Sequence, residues 1–240
     1  MPSYLLFNDQ YKISYKYIKR SKKTVIFLHG LLSEKRGTKS KYLANYCMKK
    51  NYSFLCFDFR GHGMSSGNFT DYGIGDWYDD LCNVINFLKI NNIILIGSSM
   101  GGWVAMLYAL RFPKKIKKLI GIAPAPDFTT DLIMKELTKI EKKRIKMNGI
   151  IVKKVNKDFT YKYSPKLFFN SKKYLIKNIN KVYKGEVILF HGSEDHTIPY
   201  SYNDKFLRNK NFPMLINVTI RNADHSMSDS FSLKTISNFI

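Results

Sequence analysis

Short apolar runs recur along this chain at regular intervals. They are Thr24-Val25-Ile26-Phe27-Leu28, the stretch 53–58, Ile93-Ile94-Leu95-Ile96, Lys118-Leu119-Ile120-Gly121-Ile122-Ala123, Val187-Ile188-Leu189-Phe190 and Leu215-Ile216-Asn217-Val218-Thr219-Ile220. Each is too short for a stable buried helix and is closed by turn-forming residues, so each predicts a strand, the last of them Leu215–Ile220 and the others in the core of the sheet. Between them the apolar period changes to that of a helix. The spacing predicts helices near 38–50 and 75–89, the second with Trp77, Leu81, Val84, Ile85 and Leu88 on one face, and a third over Trp103–Leu110. A last helix closes the chain near 229–240. Strands alternating with helices predict a mostly parallel sheet covered on both sides, an α/β fold in one domain over residues 1–240. At the start, Tyr4-Leu5-Leu6-Phe7 and Lys12–Ile18, joined around Asn8-Asp9-Gln10, read as an antiparallel edge hairpin.

The segment 127–185 breaks this rhythm. Asp131 is an N-cap candidate for a helix whose face carries Ile133, Leu137 and Ile140. A polar, weakly patterned stretch rich in Tyr and Phe follows, from Asn148 to Asn180. It falls between two core strands, and two readings stay open: a small cap insertion over a site at the sheet edge, or a surface excursion with its own small core.

Chemistry concentrates at the carboxyl ends of the predicted strands, where the sites of open α/β sheets lie. Gly97-Ser98-Ser99-Met100-Gly101 joins a strand to a helix and reads as a nucleophile elbow presenting Ser99. A serine hydroxyl needs a base, and the base an orienting acid. Asp195 follows one late strand, in His191-Gly192-Ser193-Glu194-Asp195, and His225 follows the last, in Asn222-Ala223-Asp224-His225. Glu194 and Asp224 compete as the acid; the loop position favours Asp195, and adjacency to the base disfavours Asp224. The backbone N–H groups of Leu31, in the turn His29-Gly30-Leu31-Leu32, and of Met100 are the oxyanion-hole candidates. Leu32, Trp103 and Phe128 are possible pocket residues, although burial in the core also explains Trp103, Trp77 and Phe128. His29 reads as a support for the oxyanion turn, His62 as a turn residue, His191 as a packed strand end, and Ser98 as pointing away from the site.

In order along the chain, His29-Gly30, Asp58-Phe59-Arg60-Gly61-His62-Gly63-Met64-Ser65, the elbow, His191-Gly192-x-x-Asp195-x-x-Ile198-Pro199 and Asp224-His225 resemble the α/β-hydrolase superfamily over nearly the whole length. Gly37-Thr38-Lys39, Trp77, the extension to Gly102-Trp103, and Asp224-His225-x-Met227 are similar to the mitochondrial palmitoyl-protein thioesterase and acyl-glucuronide esterase branch and its bacterial relatives. The resemblance implies Ser99 as nucleophile, Asp195 as acid and His225 as base, cleaving esters or thioesters of a small-molecule or acylated-protein substrate through an acyl-enzyme. One departure stands out: the mitochondrial member has Pro-Gly where this chain has His29-Gly30. Monoacylglycerol lipase and serine aminopeptidase activities use the same fold, and a non-enzymatic binding protein with a basic surface is a third possibility.

Composition adjusts this picture in two places. Forty Lys+Arg against eighteen Asp+Glu give a net charge of +22. The lysines are spread along the chain, which points to compositional bias before a dedicated nucleic-acid surface, and no nucleic-acid partner is expected. The three cysteines, Cys47, Cys56 and Cys82, suit a reducing compartment, so with no secretory signal or transmembrane anchor apparent a cytoplasmic location is expected. No Cys/His cluster has metal-binding spacing, and the chemistry requires neither cofactor nor metal.

Overall fold

The computed structural model describes residues 3–7, 11–154, 160–202 and 210–240. An eight-stranded sheet forms its centre, with strand order β1-β2-β4-β3-β5-β6-β9-β10. These are β1 (Ser3–Phe7), β2 (Tyr11–Ile18), β3 (Thr24–Leu28), β4 (Ser53–Phe57), β5 (Ile93–Ser98), β6 (Ile116–Ile122), β9 (Glu186–Gly192) and β10 (Leu215–Ile220). β1 and β2 pair antiparallel, placing Leu5 opposite Ile13, and β2 runs antiparallel to β4; the remaining pairs are parallel. The turn expected around Asn8-Asp9-Gln10 lies outside the described residues.

The helices that alternate with these strands are α1 (Thr38–Lys49), α2 (Ile74–Phe87), α3 (Met100–Arg111) and the closing α7 (Ser230–Ser237). Strand alternation assigns their faces. Val25, Phe27, Ile94, Ile96, Ile188 and Phe190 pack with Leu43 and Cys47 of α1 and Ile236 of α7. Ile26, Leu28, Leu95 and Leu189 pack on the other side with α2 and α3. Cys56 is buried in the first of these layers, as a small apolar side chain. A fully buried Leu or Ile in either layer contributes roughly 1.5–3 kcal/mol, and this is what makes the short runs fold as strands.

Chain direction across the sheet reverses at β3. From β3 the chain crosses to β4 on one side, and β5 then lies on the other. The carboxyl ends of β3 and β5 are therefore neighbours, with Leu28 opposite Gly97. Such a switch point opens a crevice because the loops leaving the two strands diverge.

Between β6 and β9 the chain folds differently from the expectation. Asp131 is not an N-cap. It sits inside a π-helical turn, Thr129–Ile133, that runs into the short α4 (Met134–Glu136). The chain then breaks at Leu137, whose backbone is extended, and restarts as α5 (Lys139–Lys146). Thr138 caps α5, its Oγ1 accepting from Glu141 N–H while Glu141 accepts from Thr138 N–H. This reciprocal box is a stronger start signal than a lone Asp, and it puts Ile140 outside the face it was expected to share with Leu137. The weakly patterned stretch holds an antiparallel hairpin, β7 (Ile151–Lys154) with β8 (Thr160–Tyr163), then α6 (Pro165–Ser171).

Candidate active site

The elbow is a turn that only small neighbours permit. Ser99 sits between β5 and α3 with φ 51° and ψ −117°, in the left-handed region that costs a non-glycine residue on the order of 1–2 kcal/mol. A Cβ on Gly97 would lie 2.2 Å from the Gly101 carbonyl oxygen, and one on Gly101 would lie 2.5 Å from the His29 carbonyl oxygen. The strain is held by backbone bonds: Ser99 N–H donates to Ile122 O at 2.9 Å, and Ser99 O accepts from Ala125 N–H at 3.1 Å.

Asp195 and His225 meet from two neighbouring strand ends. Gly192 makes the approach possible, since a Cβ there would be 2.2 Å from the Ala223 carbonyl oxygen. The loops are tied by Glu194 N–H to Ala223 O and by Asn222 N–H to Ser193 Oγ. His225 Nδ1 lies 2.8 Å from Asp195 Oδ2. Asp195 Oδ1 accepts from the N–H groups of Thr197 and Ile198, at 3.0 and 2.8 Å. Burial pushes the Asp195 carboxyl up, but the hydrogen bond and charge of His225 and the Ile198 N–H outweigh it and hold the group below the usual carboxylate range. An ionised Asp195 makes Nδ1 of His225 the protonated nitrogen and leaves Nε2 as a free acceptor. The competing carboxylates are engaged elsewhere: Asp224 accepts from Ser226 Oγ and Met227 N–H, and Glu194 is exposed. His191 is buried and donates from Nε2 to Ile198 O at 2.8 Å, a strand-end role as expected.

Leu31 and Met100 both border the same cavity as Ser99 and His225. Met100 is the first residue of α3, so its N–H has no carbonyl one turn earlier and points out of the helix at its positive end. The turn carrying Leu31 rests on His29, whose Nε2 accepts from Phe59 N–H at 3.2 Å and whose Nδ1 therefore donates to Gly30 O at 2.8 Å. Burial lowers the pKa of His29, which keeps it neutral. Further along the same loop, the buried Asp58 accepts from Lys35 N–H and from Lys35 Nζ, both at 2.6 Å. Lys35 Nζ also reaches Ser14 Oγ at 2.7 Å. The Asp58-Phe59-Arg60 motif thus clamps the turn from behind. His62 packs beneath it, 5.0 Å from His29 and 5.2 Å from Trp77 between ring centres, and burial pushes its pKa down to about 3.

One residue of the site escaped the sequence reading. Lys39, in the first turn of α1, donates to Ser226 O and, at 3.3 Å, to Ser228 Oγ. It fastens the loop that follows His225 to the oxyanion side, and burial lowers its pKa to about 8. Gly37-Thr38-Lys39 stood out as a motif, but only the fold brings it to a loop nearly two hundred residues away.

The cavity measures about 540 Å³. Ser99, His225, Leu31 and Met100 line the sheet side, and Phe128, Leu132, Ile133, Tyr161 and Tyr163 line the opposite wall. Phe128, nearly buried, borders this cavity. Leu32 and Trp103 are not among its lining residues, and Trp103 is fully buried in the core with its Nε1–H on Tyr174 O. Ser98, nearly buried, also borders the cavity.

The sequence model of the serine aminopeptidase S33 hydrolases matches residues 19–166, more than half of the chain. The chain belongs to that family. Over 237 residues this S33 hydrolase is 27% identical to the mitochondrial palmitoyl-protein thioesterase ABHD10 of Bos taurus, covering 98% of this chain and 77% of that protein. The human counterpart is 26% identical over the same coverage. The solved structure of alpha/beta hydrolase domain-containing protein 10 from mouse superposes with a TM-score of 0.90 at 25% identity, covering 100% of this chain and 96% of that one. Est1E from Butyrivibrio proteoclasticus, in a complex with ferulic acid, shares the fold at a TM-score of 0.80 and 21% identity over 99% and 95% of the two chains. The chain is a hydrolase of the α/β-hydrolase fold in the ABHD10 branch. Among the described residues no helix is long and apolar enough to cross a membrane.

Proposed function

We propose that this hydrolase cleaves carboxylic ester or thioester bonds of acyl substrates through Ser99, His225 and Asp195. The observation that carries the reading is the 2.8 Å Asp195–His225 pair opening onto the same cavity as a serine held at φ 51°. The names of the ABHD10 relatives, palmitoyl-protein thioesterases, support the acyl substrate class.

The steps follow from the groups present. Nε2 of His225 takes the Ser99 proton as Oγ attacks the acyl carbonyl carbon, and the carbonyl oxygen becomes an oxyanion facing the Leu31 and Met100 N–H groups. The ionised Asp195 stabilises the imidazolium and holds its tautomer. As the carbonyl re-forms, the bond to the leaving alcohol or thiol breaks and His225 gives that group its proton. Water, deprotonated by the same base, then releases the acid and restores Ser99. Every step uses protein groups already in the site. The segment 127–185 is proposed as the cap: its Phe128, Leu132, Ile133, Tyr161 and Tyr163 give the acyl chain an apolar wall that excludes water. Three unpaired thiols, Cys47, Cys56 and Cys82, support a reducing compartment, and the cytoplasm is the proposed location.

The test compares wild type with Ser99→Ala on nitrophenyl acetate, butyrate and palmitate, on acyl-CoA thioesters and on aminoacyl anilides. Turnover of esters or thioesters should fall on the order of 10⁵-fold or more in the variant. Ester turnover that survives the substitution overturns the assignment of Ser99. Activity confined to the anilides replaces the esterase reading with a peptidase.

A further inference from the structure

The outer surface of the segment 127–185 carries a second feature that the hydrolytic site does not use. Helix α5 buries Ile145 and turns the opposite face to water. On that face Ile140 is 81% exposed and Met147, just past the helix, is 72% exposed. They are seven residues apart, so they lie one above the other with Lys143 between them. Lys139, Arg144 and Lys146 flank this apolar pair and are exposed. Glu141 of α5 is joined to Lys153 of β7 at 2.6 Å, which ties the helix to the neighbouring strand. Ile151 and Lys153 share one side of β7, so the exposed Val152 and its partner Lys162 face the other way and stand apart from the α5 face.

Two large aliphatic side chains stacked on one helix face form an exposed apolar patch of the kind that marks a contact surface. A partner for this surface must accept apolar side chains and carry negative charge among them. A bilayer with anionic headgroups does both: cations sit at the headgroup level while Ile and Met enter the acyl boundary. Nucleic acid satisfies the charge but leaves the aliphatic groups in water, and α5 presents no aromatic ring for base stacking. The position also fits. Tyr161 and Tyr163 of β8 line the cavity, and β8 pairs with β7, to which α5 is tied through Glu141 and Lys153.

We infer that the exposed face of α5 is a docking surface for an anionic lipid bilayer, through Ile140 and Met147 set among Lys139, Lys143, Arg144 and Lys146. Docking there holds the cavity beside acylated substrates anchored in the membrane; this last link rests on the proposed acyl site, whereas docking itself does not.

The test measures binding and hydrolysis separately. Wild type and Ser99→Ala are sedimented with phosphatidylcholine vesicles and with vesicles in which a third of the lipid is phosphatidylglycerol, at low and high salt and with transfer RNA as competitor. Both proteins should bind the anionic vesicles and not the neutral ones, with binding weakened by salt. Ile140→Glu with Met147→Glu should lower vesicle affinity by about tenfold or more, and Lys143→Ala by about fivefold. Nitrophenyl acetate turnover in both should match that of wild type, because these side chains are exposed and outside the catalytic machinery. Equal binding to both vesicle types, unchanged binding in the double variant, or loss of vesicle binding to the RNA competitor overturns the inference. Ser99→Ala binding vesicles as wild type does, even if no ester is hydrolysed by either, leaves the docking surface standing and removes the esterase reading.

Discussion

The sheet side of the cavity hangs on the ends of four parallel strands, β3, β5, β9 and β10, whereas its opposite wall hangs on a π-helical turn and two paired four-residue strands. On the sheet side each functional group has a backbone reason for its place. Ser99 is strained and locked between Ile122 and Ala125, Asp195 accepts from two backbone N–H groups, and the oxyanion turn is bolted to Asp58 through Lys35. On the other wall aromatic side chains pack on one another, Phe128 against Trp103 and Tyr161 stacked on Tyr163. Hydrogen bonds select one arrangement from few, and apolar packing selects one from many. The first kind of wall suits chemistry that fails with an error of an ångström, and the second suits a surface that changes with the substrate it covers.

The largest expected effect falls on the sheet side. Asp195→Asn should keep the fold and lower kcat by roughly 10⁴-fold, because an amide can present its N–H to His225 Nδ1 and stabilise the wrong tautomer. Steady-state kinetics beside thermal melting checks this, and a loss below tenfold would show that the pair is structural. Next comes acid sensitivity beneath the oxyanion turn. The unfolded chain protonates His62 near 6.5, and the folded chain does so only near 3. Between these values the unfolded state binds the extra proton, so stability is full above about 6.5 and declines as pH falls toward 3. The loss should be on the order of 2–3 kcal/mol by about pH 4, and His62→Gln should remove most of it. Urea melts at neutral and acid pH measure the difference, and parallel slopes for the two proteins would refute the cause.

The opposite wall should respond more gently and with selectivity. Phe128→Ala and Leu132→Ala should each reduce kcat/KM for long acyl esters by about tenfold while leaving acetate nearly unchanged, since a short acyl group does not reach an apolar wall worth about 1.5–3 kcal/mol per side chain. A chain-length series decides it; an equal loss on acetate would mean that the wall supports the catalytic groups themselves. The smallest effect is expected at the start of α5. Thr138→Ala removes the cap and should cost about 1 kcal/mol of local stability, read as faster hydrogen exchange across 139–146 with global melting nearly unchanged.

What the residue pattern determined by itself was the sheet and the set of strand-end residues. Strand β3 was readable as Thr24–Leu28, because a run buried on both faces has no polar alternative to adopt. Strand β10 was readable as Leu215–Ile220 from its β-branched run, although it forms the sheet edge and leaves Ile216 half exposed. Asp195 and His225 were readable because a residue just past a parallel strand must lie at the site end of the sheet, whatever the loops do. Tertiary structure decided the rest. The exposure of Ile140 follows from the Thr138–Glu141 box shifting the helix start, and one residue of shift rotates a side chain by about 100°. Trp103 left the pocket because its buried indole is held by Tyr174 O, a partner distant in sequence. Lys39 entered the site only when α1 packed beside the loop after His225. Strand burial and strand-end chemistry are local consequences of an apolar run, whereas pocket shape is a sum of contacts between segments that no window along the chain contains.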